Sequence, residues 1–190
     1  MAENENLSAQ QSLDIITAMI RQAKGNVSSN SFHLLLWGWT IVIANLGVFV
    51  MIRFTDIVRP EMIFSITGLS AIISFVYGAR QSRRARSKTV LDMANMWIWI
   101  GYAITCFTII VFGSKTNWQI NPILITMASV PTFVTGVMLR FRPLMFGGAA
   151  LWIFGIVLFM VPREYQFLVA AIAIAVGYLI PGYMLRKSEA

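Results

Sequence analysis

Six uninterrupted apolar stretches dominate the chain: Leu34 to Ile52, Met62 to Gly78, Met96 to Gly113, Pro122 to Leu139, Pro143 to Val161 and Phe167 to Leu185. A helix rises 1.5 Å per residue and a hydrocarbon core is about 30 Å thick, so each stretch is just long enough to cross a bilayer. None of the 15 Lys and Arg or the 8 Asp and Glu falls inside any of them. Continuous runs of this length predict helices, since a transmembrane barrel would show shorter segments of alternating polarity. The expected fold class is therefore all-α: six transmembrane helices arranged as three antiparallel hairpins, preceded by an N-terminal amphipathic helix.

Composition excludes other classes. The 190 residues are 57% hydrophobic and 12% charged, with a mean hydropathy of +0.70. Soluble domains carry about 25% charged residues, so a soluble enzyme and a disordered chain are both poor fits. Cys106 is the sole cysteine, which removes a disulfide scaffold.

Lys and Arg in short loops mark the cytoplasmic side. Arg21, Lys24, Arg80, Arg83, Arg84, Arg86, Lys88, Arg140, Arg142, Arg186 and Lys187 collect on one side, against Arg53, Arg59, Lys115 and Arg163 on the other. Both termini are expected in the cytoplasm, giving a multi-pass protein of the bacterial inner membrane. The expected organisation is a cytoplasmic segment at 1–33, a bundle at 34–185 and a short tail at 186–190. Trp37, Trp39, Trp97, Trp99, Trp118 and Tyr165 lie near the span ends, where amphipathic rings favour the headgroup level.

Two patterns suggest how the helices pack. Gly101 and Gly136 map onto Gly147 and Gly182 by one shared offset of 46, which suggests a duplicated hairpin. Small residues recur every four positions at Ser70, Ser74 and Gly78, at Ala128, Thr132 and Gly136, and at Ala171 and Ala175. Such rows let helices approach closely, so the second, fourth and sixth spans are expected to be central. The first, third and fifth, richer in Trp and Phe, are expected to face lipid or a partner. Pro131 and Pro181 should kink their helices.

Ahead of the first span, Ser8 and Gln11 fit a helix start and Gly25 a stop. Leu13, Ile16, Met19, Ile20 and Ala23 share one face between them. The stretch Asn26 to Asn30 is expected to turn the chain, leaving this helix under the cytoplasmic leaflet or docked on a protein partner.

The spans offer little chemistry. They hold no titratable carboxylate, lysine or arginine, and His33, the sole histidine, sits at the start of the first. Catalysis or proton coupling in hydrocarbon needs such groups, so no catalytic, cofactor or metal site is expected. Asn45 is the candidate intramembrane polar site, because a mid-span amide needs a partner from another helix or from a ligand. The run from Arg80 to Lys88 sets topology, and Arg80, Arg83, Arg84, Arg86 and Lys88 are candidate contacts to anionic lipid headgroups. Nucleic acid is a poor reading of this charge, which lies within a Debye length of the bilayer.

The amphipathic start, the run from Leu34 to Trp39 and the ending from Val176 to Leu185 resemble a family of small six-span bacterial inner-membrane proteins of uncharacterised function. The resemblance covers essentially the whole chain but implies no chemistry. The expected function is a non-enzymatic scaffold or regulatory partner, which could form oligomers; a channel or carrier for a small neutral solute is the alternative.

Overall fold

The computed structural model describes residues 9–84 and 90–189, with side-chain surroundings for residues 31–81 and 90–187. Seven helices are described: α1 Ala9–Phe54, α2 Ile66–Arg84, α3 Val90–Val111, α4 Ile120–Met138, α5 Arg142–Met160, α6 Arg163–Ile174 and α7 Ile180–Glu189. Short 3-10 turns at Pro60–Ser65 and Gly113–Thr116 precede α2 and follow α3. A π-helical turn at Ala175–Leu179 joins α6 to α7 into one rod. Among the described residues six segments are long and apolar enough to cross a membrane: Ser31–Phe54, Pro60–Gln81, Val90–Val111, Ile120–Met138, Arg142–Met160 and Arg163–Lys187. The architecture is all-α and polytopic.

The centre of the bundle is made by α1, α4, α5 and the α6–α7 rod. Of the sixth span's apolar window 56% is buried and of the fourth's 44%, against 6% for the second and none for the third. Helix α2 rests chiefly on α1, and α3 chiefly on α4. The expectation of a central second span and peripheral first and fifth spans is thus corrected. Gly78 has open space around it and Gly136 does not, so a row of small residues alone does not decide which helix is central.

The decisive pattern lies in α5. Leu144, Leu151 and Leu158 are fully buried, alternating with buried Gly148 and Gly155 at the spacing of a coiled-coil seam. A Cβ at Gly148 would lie 2.7 Å from the backbone nitrogen of Phe133, and one at Gly155 would lie 2.9 Å from Cα of Thr126. Helix α4 therefore packs with its backbone directly on these glycines. Trp152, Phe159 and Phe146, which suggested a lipid-facing helix, are exposed.

The turn between these helices is equally tight. Phe141 N–H donates to Gly136 O at 2.9 Å and Arg140 N–H to Val137 O at 3.0 Å, closing α4 in a Schellman motif. Arg140 occupies its left-handed position with φ 51°, where glycine is usual.

Two further expectations are revised. Helix α1 runs unbroken through Gly25 and Asn26 to Asn30, because one glycine costs a helix only about 1 kcal/mol; it leaves no break at which the segment could turn into the interface plane. The expected cap at Ser8 lies outside the described residues. Gly101 and Gly147 do not play equivalent roles: the first faces open space, whereas a Cβ on the second would meet Gly177 O at 2.6 Å. At Pro181 the chain shows a π-turn immediately upstream, which accommodates the ring where an ordinary helix would bring it against the preceding turn. Helix α4 continues through Pro131.

Candidate functional site

Asn45, the candidate from sequence, is 1% exposed. Its amide donates to Ile41 O at 2.9 Å, and its Oδ1 accepts from Asn121 Nδ2 at 3.1 Å. Asn121 lies in the first turn of α4, so the partner is another helix. Close by in sequence, Gln119 at the N-cap of α4 accepts from Gln166 Nε2 at 3.0 Å. The Gln166 amide also lies 3.1 Å from Leu158 O and 3.3 Å from Val161 O, tying the α5–α6 turn to α4. At the end remote from the termini, pairs of carboxamides thus bind α1, α4, α5 and α6 together.

A second network fastens α3. Thr135 Oγ1 donates to Asn95 Oδ1 at 2.7 Å and accepts from Trp99 Nε1 at 3.1 Å. Tyr102 donates to Leu124 O at 3.2 Å. The Trp99 ring stands edge-on to Tyr102 and to Tyr178, with centroids 5.8 and 6.4 Å apart. Tyr178 lies in the π-turn, its hydroxyl oxygen 3.4 Å from Thr132 Oγ1. Asn95, Trp99, Tyr102 and half-buried Cys106 follow one helical stripe of α3.

A third seam fastens α2 to α1. Thr40 and Ser70 hydroxyls lie 2.6 Å apart. Ser74 Oγ lies 2.8 Å from His33 Nδ1 and accepts from Trp37 Nε1 at 3.4 Å. Phe32 stacks on Tyr77 with centroids 3.9 Å apart, and His33 meets the same ring edge-on. His33, Trp37 and Trp99, placed by sequence at the membrane interface, therefore act as interhelical struts; Trp39, Trp97 and Trp118 remain exposed.

Hydroxyl, indole and carboxamide groups of this kind stay neutral and hold helices together. Among the described residues no group of three or more His, Cys, Asp or Glu is placed to hold a metal ion. Of the candidate lipid contacts, Arg80 is exposed near the end of α2, and Arg83 and Arg84 continue that helix. Arg86 and Lys88 lie outside the described residues. Beside Arg80 a groove of about 280 Å³ is lined by Ile72, Ile73, Val76 and Tyr77.

Sequence reading missed Asn95, Gln119, Asn121 and Gln166. Three of them carried a usable signal: each stands immediately before an apolar stretch, at Met96, Pro122 and Phe167. No protein-family model, curated protein or solved structure matches this chain.

Proposed function

We propose that this chain is a non-enzymatic protein of a bacterial inner membrane, with both termini in the cytoplasm, that scaffolds or regulates a protein partner. The observation that carries the reading is the length and continuity of α1. It spans Ala9–Phe54, whereas its membrane-crossing part begins at Ser31. At 1.5 Å per residue, roughly 33 Å of helix extends beyond the span. A partner bound to that rod is mechanically coupled to the centre of the bundle, because α1 packs on α2, α6 and α7.

The bundle's interior supports the same reading. Its buried side chains Asn45, Thr132, Thr135 and Gln166 are bonded to neighbouring helices or turns. Thr126, Ser129 and Thr132, which would line a solute path, bond to carbonyls three or four residues back in α4. That commitment favours a scaffold over a carrier.

Deletion of residues 1–25 should abolish partner co-purification while leaving the unfolding of the bundle unchanged. Undiminished co-purification would overturn the proposal. Liposomes bearing the full chain should show solute flux equal to that of empty vesicles, and selective flux of a neutral solute would favour the carrier instead.

A further inference from the structure

We propose that α2 carries a discrete binding site for one anionic phospholipid, with an acyl chain in the groove along Ile72, Ile73 and Val76 and the phosphate held by Arg80, Arg83 and Arg84. At 100° per residue, these positions fall on one side of the helix. The Ser70 and Ser74 seam turned to α1 occupies a separate face. One helix face therefore changes from apolar to cationic as it nears the end of its span, which is the polarity profile of a phospholipid.

Three observations converge on that occupant. The groove measures about 280 Å³ and ends at Tyr77 and Arg80. Ile72, Ile73 and Val76 are exposed, at 62%, 40% and 42%, and α2 packs chiefly on α1, so among the described residues no other helix covers this side. Finally, topology alone requires cations near a span end but on no particular face. Arg80 lines the groove, and positions 83 and 84 follow on the same side of α2, which places cationic residue types where a phosphate would lie. The ring of Tyr77, stacked on Phe32, forms a rigid wall where glycerol ester groups would lie.

The test uses the full chain in nanodiscs of neutral phosphatidylcholine doped with phosphatidylglycerol, with retained lipid counted by native mass spectrometry. One phosphatidylglycerol should be retained in preference to phosphatidylcholine. The triple variant Arg80→Gln, Arg83→Gln, Arg84→Gln should lower retention about tenfold or more. The pair Arg142→Gln, Arg186→Gln, which lies on α5 and α7 and leaves α2 unchanged, should leave it within about twofold. Val76→Trp, at an exposed position and with every charge intact, should block retention by filling the groove. Equal losses from both charge variants would show an unspecific cationic surface and overturn the site. Full retention in Val76→Trp, or displacement of the lipid by inorganic phosphate, would overturn the acyl-chain groove. Cross-linking of α2 to α2 of a second chain, with no lipid retained, would assign the face to self-association instead.

Discussion

The contact between α4 and α5 and the contacts that hold α2 and α3 are built on opposite principles. Between α4 and α5 the backbones meet across Gly148 and Gly155, interleaved with fully buried Leu144, Leu151 and Leu158. The outer helices instead meet their neighbours through side-chain bonds: Thr40 to Ser70 and Ser74 to His33 on one flank, Thr135 to Asn95 and Trp99 on the other. In lipid no hydrophobic effect separates helix from solvent, so association rests on dispersion and interhelical hydrogen bonds. A glycine seam sums many short contacts that are lost together. A polar seam is a few bonds worth about 0.6 to 1.7 kcal/mol each, and these can be exchanged one at a time. The bundle thus has a rigid centre and two flanking helices that separate from it more readily.

The largest effect should come from the centre. Gly155→Leu places side-chain atoms where Cα and N of Thr126 already lie 2.9 Å from a Cβ position, and should destabilise the bundle by about 3 kcal/mol or more. Titration with a denaturing detergent, following Trp fluorescence, measures this. A variant that unfolds like the parent would break the contrast between the two kinds of seam.

A smaller loss is expected at Asn45, which sits where the central helices use a polar contact. Asn45→Leu leaves the Asn121 amide without its acceptor and should cost about 1 to 2 kcal/mol. The double variant Asn45→Leu, Asn121→Leu should recover most of that, since apolar pairs need no partner in lipid. A non-recovering double variant would show that Asn45 serves something besides the helix pair.

On the flank, Thr135→Val removes the bonds to Asn95 and Trp99 and should lower stability by about 1 kcal/mol. It should also increase labelling of Cys106 on α3 by a membrane-permeant thiol reagent. Unchanged labelling would mean that α3 is held by packing and not by the polar stripe. Smallest, and opposite in sign, Arg140→Gly relieves a left-handed residue at the α4–α5 turn and should stabilise by up to about 1 kcal/mol. Thermal unfolding in detergent would register the rise, and a fall would show that the Arg140 side chain contributes more than its backbone strain removes.

Several of these features were partly legible in the chain. Hydropathy located all six spans, but it set their starts at Met96, Pro122 and Phe167, one residue beyond Asn95, Asn121 and Gln166. It weighs a carboxamide by the water it loses and not by the partner it finds. In the fold each lies within the helix, at Val90–Val111, Ile120–Met138 and Arg163–Ile174, and bonds a neighbour. The alternation of Leu144, Gly148, Leu151, Gly155 and Leu158 was also present, masked by the exposed aromatic residues Phe146, Trp152 and Phe159. Asn45 was identifiable as a buried amide; its partner was not, because Asn121 lies 76 residues away.

The amino-acid sequence by itself determined the number of crossings and the helical form of each, because exclusion of charge from hydrocarbon and internal satisfaction of the backbone are properties of a segment taken alone. The tertiary structure decided which helices are central and which face of each is hidden. All sides of an apolar helix are nearly equivalent to lipid, so the choice falls to pairwise fit: Gly148 on Phe133, Gly155 on Thr126, and an amide opposite an amide.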